Sequence, residues 1–271
     1  MYQFSSAQIP TAARIISRAK RLVAFTGSGM SKESGIPTFR DPGGLWDRFD
    51  PEELSFQALT KSLAQGRLPK GSFAAFSLEF IETLKRAAPN PGHAALKAFE
   101  DLGLLKAVIT QNIDNLHAEA GNNHVVELHG NIYRFVCLNC QKKRFFGKEG
   151  FIYLAHAFIE ALQSANAQRV LSAVPRCSCS GAMRPDIVGF GEPIQDFDRA
   201  LSLTMQSDVF LIVGTSGEVM PAASIPEHAK RSGATLIEVN LSHCAFPECT
   251  DFYIQGSAAT VLPEIALEIE R

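Results

Sequence analysis

The stretch VAFTGSGMSKESGIPTFR, Val23 to Arg40, decides how the rest of the chain is read. Val23, Ala24 and Phe25 read as the end of an apolar strand, and Gly27, Ser28 and Gly29 then turn the chain with backbone amides able to face an anion. The common dinucleotide fingerprint asks for a third glycine three residues after the second, where a helix packs closely on the sheet. Here that place holds Lys32. Counting on about twenty residues to a ribose-binding acid reaches Asp47 and Asp50, which sit among Gly, Trp and Pro with no strand before them. The stretch is therefore a candidate phosphate cradle but a weak hydride-transfer signature.

Further apolar runs rich in Val, Ile, Leu and Phe repeat the pattern of the first, Leu22 to Thr26. They are Lys106 to Thr110, Val125 to Leu128, Val209 to Val213, Thr235 to Val239 and Phe252 to Ile254, most of them followed by helix-like segments. Continuous rather than alternating runs predict strands covered on both faces, hence a parallel sheet in an α/β fold. In an open parallel sheet the ligand sits where the strands end. The candidate residues fall there: Gly27 to Gly29, Gln111 to Asp114, His129, Gly214 to Ser216, Asn240 and Gly256 to Ala258. Asp41 to Gly92 and Cys137 to Arg184 break the strand-helix rhythm and predict a smaller inserted module.

Composition narrows the class. With 271 residues, of which 46% are hydrophobic, the chain can bury a sizeable core. A formal charge of −2 argues against a nucleic-acid or anionic-membrane footprint. No apolar run approaches the roughly 20 residues that span a bilayer. The first 22 residues carry Arg14, Arg18, Lys20 and Arg21 and no acid, as a targeting helix would. Ile9, Ala13, Ile15, Ile16 and Ala19 instead predict an amphipathic helix that runs directly into the first core strand. The six cysteines are not grouped as in a small secreted scaffold, so a reducing, cytoplasmic setting is expected.

Two cysteine pairs, Cys137-Leu-Asn-Cys140 and Cys177-Ser-Cys179, suit a closed tetrahedral zinc site, the second pair being tighter than usual. Cys244 and Cys249 read as free thiols. His129 leaves a strand end with a side chain that titrates near neutrality, which suits a general base; a lone histidine is more often structural, and six others compete. Of these, His117 is placed on the helix after Asp114 and His93 at a helix start. Gln111, Asn112 and Asp114 offer more polar groups than a helix cap needs and suit a carboxamide or ribose hydroxyls. Gly214-Thr215-Ser216 is read equally as a second phosphate loop or an ordinary turn.

Taken in order, GSGMSKESGIPTFR, TQNIDNLH, ELHG, CLNC with CSC, RPDIVGFGE, VGTSGEVMPAA, Val239-Asn240 and QGSAATVLPEI make the chain resemble the sirtuin (Sir2) family of NAD-dependent protein deacylases. The resemblance implies a Rossmann-like domain over 1–40, 93–136 and 189–271, with helices on both faces of its parallel sheet. It implies a smaller zinc-binding and helical module over 41–92 and 137–188. A flexible segment that closes over NAD takes the place of a packed helix, which accounts for the missing third glycine. By the same resemblance Gly27, Ser28, Gly29, Arg40, Thr215, Ser216 and Asn240 contact the phosphates and adenosine of NAD, and Phe39, Gly214, Ser257 and Ala258 belong to the same cofactor site. Gln111, Asn112 and Asp114 hold the nicotinamide ribose and carboxamide, Asn112 acts in catalysis, and His129 is the general base.

The implied reaction breaks the bond to nicotinamide as the acyl-lysine carbonyl oxygen attacks the ribose, giving an alkylimidate and then free lysine and 2′-O-acyl-ADP-ribose. Zinc is structural. An acyl-lysine peptide is expected between Val188–Glu192 and Gly217–Met220, as an added strand. Alternatives are mono-ADP-ribosyl transfer or NAD hydrolysis on the same scaffold, and a non-catalytic NAD or ADP-ribose module, against which His129 and Asn112 both speak. Ser28 departs from the family's usual alanine. Gly217-Glu218-Val219 resembles the class that includes desuccinylases, yet the Tyr-x-x-Arg of that class falls here on Ser77 and Phe80. Phe80 cannot pair with a carboxylate, so a neutral acyl group is expected; Phe73, Phe76 and Phe80 are candidates for an acyl pocket or for core, and Tyr133 and Arg86 for an acidic one.

Overall fold

The computed structural model describes residues 6–38, 61–62, 65, 71–164, 166–189 and 191–271. Phe39, Arg40, Asp47, Asp50 and Phe190 lie outside the described residues, as does the side chain of Phe73. Nine strands run in chain order: β1 (Leu22–Thr26), β2 (Leu105–Thr110), β3 (Val125–Glu127), β4 (Gly130–Cys137), β5 (Lys143–Phe145), β6 (Met183–Ile187), β7 (Val209–Val213), β8 (Thr235–Asn240) and β9 (Phe252–Gln255). They belong to two compact units, Met1–Ile36 with Ala88–His129 and Ile194–Arg271, and Pro37–Ala87 with Gly130–Pro193.

The first unit holds a six-stranded sheet in the order β3-β2-β1-β7-β8-β9, with every pairing parallel. All six apolar runs of the sequence become its strands. Every residue of β1 and β7 is buried, because successive side chains point to opposite faces and both faces are covered. Leu22 and Ala24 enter one core cluster with the helices Ile9–Ser17, Pro91–Asp101 and Ala258–Ile269. Val23 and Phe25 enter the other, with Phe197–Met205 and Ile225–Arg231. Phe25 and Phe210 stack there at 6.2 Å between centroids.

Strand order reverses between β1 and β7. The chain builds outward from β1 through β2 to β3 and then starts again at β7 on the other side, so the loops after the adjacent strands β1 and β7 lie side by side at the switch point, where an open parallel sheet binds its ligand. This is the topological reason that the Gly27 and Gly214 loops meet.

The second unit is a three-stranded antiparallel sheet, β5-β4-β6, with the helices Gly71–Arg86, Gly147–Gln163 and Ala167–Ala173. Tyr133 on β4 is buried and meets Phe151 edge-on at 5.6 Å. Asp186 on β6, also buried, accepts from Arg134 Nε at 2.6 Å and lies 2.9 Å from Lys143 Nζ. One acid between two cations ties all three strands, and a buried carboxyl group needs such partners. Among the described residues no helix is long and apolar enough to cross a membrane.

Candidate active site and zinc centre

The glycines after β1 and β7 are required by how closely the two loops approach. A Cβ on Gly29 would stand 2.8 Å from Gly214 Cα, and one on Gly214 only 2.5 Å from Gly29 C. Gly29 N donates to Gly214 O at 2.8 Å, and Gly214 itself has φ +58, a left-handed conformation that favours glycine. Two loops poor in side chains at a switch point fit the phosphates of a dinucleotide, since backbone can reach the ligand.

Beside them lies a buried polar network. Asn112 Nδ2 donates to Gly27 O at 3.0 Å and to Ser31 Oγ at 3.1 Å, while Ser31 Oγ donates to Asp114 Oδ2 at 2.7 Å. Burial pushes the Asp114 carboxyl up from its ordinary value, against the bonds from Ser31 and the Leu116 amide that favour ionisation. Gln111 Nε2 reaches Thr215 Oγ1 at 3.0 Å, and Asn240 Nδ2 reaches Thr215 O at 2.7 Å. The strand ends after β1, β2, β7 and β8 are thus joined by side chains that the sequence nominated separately. Ser31, which sequence reasoning passes over, sits at their centre; its signal was a small hydroxyl in the first turn after the glycine loop.

His129 follows β3 and is half-buried. Its Nδ1 lies 2.9 Å from Gln111 O. A carbonyl only accepts, so Nδ1 carries the hydrogen and Nε2 keeps its lone pair in the neutral ring. Burial lowers the His129 pKa from the ordinary value, the Gln111 carbonyl opposing in part. A neutral imidazole with an unprotonated Nε2 is a general base in waiting.

The other nominated residues are less connected. Ser216 is exposed and Ser28 half-buried. Ser257 precedes the last helix, with its Oγ 3.1 Å from Thr260 Oγ1, and Ala258 is buried against Gly92, where a Cβ would meet Ala258 O at 2.9 Å. Gly217–Met220 lies in the first unit and Val188–Glu192 in the second, where Arg184 Nη2 and Gly189 N both donate to Glu192 Oε2, at 2.9 and 3.0 Å.

His93 and His117 take the helical positions expected of them and are buried, with ring centroids 4.8 Å apart. Asn90 N donates to His93 Nδ1 at 3.3 Å as half of a capping box, and His117 Nε2 lies 2.9 Å from Thr26 Oγ1. Burial lowers His93 to about 4 and holds His117 well below the ordinary value. The unfolded chain therefore binds protons more readily, so stability is full above pH ~6.5 and declines as pH falls toward 4; His93 alone is worth about 3 kcal/mol. Denaturant unfolding at pH 7 and pH 5 is expected to show a loss that His93→Gln reduces. An equal loss in that variant would contradict the assignment.

In the second unit the four cysteines converge. Cys137 Sγ is 3.5 Å from Cys179 Sγ, and Cys140 Sγ is 3.4 Å from Cys179 Sγ and 3.7 Å from Cys177 Sγ. Four sulfurs around zinc at about 2.3 Å stand roughly 3.8 Å apart, and all four here lie within 4.8 Å of one another. Two tight turns aim them: Gln141 N donates to Cys137 O, Ser180 N donates to Cys177 O, and Gln141 and Ser180 both adopt positive φ. Backbone amides of Cys179 and Gly181 favour thiolates at Cys177, lowered to about 6, and at Cys179. The cluster fits one structural zinc ion.

The Sir2 family model matches residues 27–221, which takes in both loops, Ser31, Gln111 to Asp114, His129 and the cysteine cluster, with Asn240 beyond it. The chain belongs to the Sir2 family. Among similar Sir2 proteins is the NAD-dependent protein deacylase of Desulfosudis oleivorans, 43% identical over 265 residues that cover 97% of this chain and 96% of that one. A solved Sir2 complex with p53 peptide and NAD+ is 30% identical, with TM-score 0.75, covering 95% and 97% of the two chains. Sir2Af2 bound to a myristoylated histone peptide is 31% identical, with TM-score 0.70 and 98% of both chains covered.

Proposed function

We propose that this Sir2-family chain is an NAD-dependent protein lysine deacylase, releasing nicotinamide, free lysine and 2′-O-acyl-ADP-ribose. The observation that carries this reading is His129, whose Nδ1 is committed to the carbonyl of Gln111, the residue that precedes Asn112 with its bonded Ser31 and Asp114. The similarity to proteins named NAD-dependent protein deacylase, at 43% identity over nearly the whole chain, supports it.

The first unit binds NAD and the second carries zinc. NAD supplies the glycosidic bond that breaks and the ribose that accepts the acyl group. Gly27, Ser28, Gly29, Gly214, Thr215 and Ser216 receive the phosphates, with Asn240, Ser257 and Ala258 toward the adenosine; Phe39 and Arg40 belong to the same site. Gln111, Asn112 and Asp114 orient the nicotinamide ribose and carboxamide. His129 Nε2 takes the proton of a ribose hydroxyl. The acyl-lysine peptide runs along Gly217–Met220 as an added strand. None of the six cysteines is in a disulfide, which suits a reducing compartment, and the cytoplasm is the setting we assign.

The acyl group is neutral. On the helix Gly71–Arg86, Phe76 and Phe80 stack at 5.6 Å and are only half-buried, while Arg86 is 82% exposed near Glu82, and Tyr133 is buried against Phe151. Phe76, Phe80 and Tyr133 carry no charge and the Arg86 guanidinium stands in solvent beside Glu82, and an unpaired carboxylate in an apolar pocket costs several kcal/mol. A panel of acetyl-, butyryl-, myristoyl- and succinyl-lysine peptides is expected to give a kcat/KM at least about tenfold lower for succinyl. Equal or faster desuccinylation would overturn the neutral-acyl reading, and NAD consumption without deacylated peptide would favour ADP-ribosyl transfer or NAD hydrolysis.

A further inference from the structure

A buried acid in β8 has no part in the chemistry above. The strand reads Thr-Leu-Ile-Glu-Val-Asn, and Glu238 in its middle is completely buried. Its Oε1 accepts from Ala245 N and, at 3.4 Å, from Asn240 Nδ2. Its Oε2 accepts from Cys244 Sγ at 3.1 Å, Thr250 Oγ1 at 3.0 Å and Phe246 N at 3.3 Å. Four of these five donors come from the connection between β8 and β9. Without the carboxyl group the Ala245 and Phe246 amides would be left unmet, so the distinctive effect of Glu238 is to fix the conformation of that connection.

What the connection touches gives this a purpose. Gly217 has φ +72, and a Cβ there would lie 3.1 Å from both Ala245 O and Phe246 Cζ. The clasped residues are therefore the backing of the turn that opens Gly217–Met220. On the other side Asn240 Nδ2 holds Thr215 O at 2.7 Å, a much shorter bond than its 3.4 Å one to Glu238 Oε1. Loosening the clasp should disturb the Gly217 side more than the Thr215 side.

We propose that Glu238 is a positioning residue for the acyl-peptide, acting through Ala245 and Phe246 on Gly217. This rests on the deacylase reading, in which Gly217–Met220 lies along the peptide. Glu238→Gln keeps the volume but turns an amide N–H₂ toward the donors; Cys244 and Thr250 can reverse their roles, whereas the Ala245 and Phe246 amides cannot both be met. An unmet buried donor shifts the connection that backs Gly217, so the peptide KM is expected to rise about tenfold. The KM for NAD should stay within about twofold and the saturated kcat near wild type, a split that a general loss of structure would not produce.

Phe246→Ala, which removes the ring facing Gly217 and leaves Glu238 in place, is expected to raise the peptide KM in the same selective way, and it decides the matter if Glu238→Gln does not fold. A parallel rise in both KM values, or an unchanged peptide KM, in a folded variant overturns the proposal while wild-type deacylation stands. Failure of the wild-type protein to deacylate any peptide would instead remove the reading on which the proposal rests, and the proposal with it.

Discussion

His129→Ala is expected to lower kcat/KM for an acyl-lysine peptide by about 10³-fold, within the usual range for loss of a general base. NAD affinity should be nearly unchanged, because the ring's one fixed bond is to the Gln111 carbonyl and Gln111 keeps its own bond to Thr215. The pH profile gives an independent check. The neutral ring is the active form, and burial lowers its pKa from 6.5. Activity should therefore be flat through neutrality and fall only as pH drops below 6.5, with the acid limb absent from the variant's residual rate. Retention of more than about a tenth of the wild-type kcat/KM, or an acid limb above pH 7, would contradict the role given to His129.

The second large effect concerns the cysteine cluster. Cys177→Ser is expected to abolish zinc retention and to lower the thermal transition by roughly 10 °C, since a structural zinc site supplies several kcal/mol of folding free energy. Cys177 opens the turn that Cys177 N closes on Gly181 O, and Ala182, just after it, accepts from Leu138 N just after β4, so its loss unfastens the end of the β4–β6 pair. Gly181 adds a second constraint, for a Cβ there would meet Cys137 Sγ at 2.7 Å. Metal analysis and melting curves measure both effects. Cobalt(II) in place of zinc should leave kcat unchanged if the metal is structural, whereas a metal-dependent kcat would show that it takes part in the reaction.

Much of this was legible because buried parallel strands leave a simple trace. Val209–Val213 is apolar throughout, and such a run ending in Gly-Thr-Ser announces both a covered strand and the loop after it. The cysteine pairs were equally plain, since thiols so close in sequence have few other uses. The strand Gly130–Cys137 had no counterpart in the sequence reading. It is antiparallel and irregular, with a register shift between Asn131 and Phe135, and polar Asn131 and Arg134 interrupt its apolar residues.

Side-chain partnerships across the sheet were also invisible. Ser31 meets Asn112 and Asp114 from 81 and 83 positions away, and Glu238 looks like an interruption of β8 until the turn that it clasps is seen. Asp114 looked like part of a helix cap; it does accept from Leu116 N, but its other oxygen serves Ser31. A one-dimensional reading finds strand ends well and finds poorly what those ends hold.

One acyl group is expected to pass from lysine to the ribose of one NAD, with His129 as base. Single-turnover mass spectrometry, with enzyme in excess over an acetyl-lysine peptide and saturating NAD, measures this directly. Equal amounts of free-lysine peptide, nicotinamide and O-acetyl-ADP-ribose are expected, all three falling together in His129→Ala. Free lysine with acetate in place of O-acetyl-ADP-ribose, or nicotinamide release with the peptide left acetylated, would contradict it.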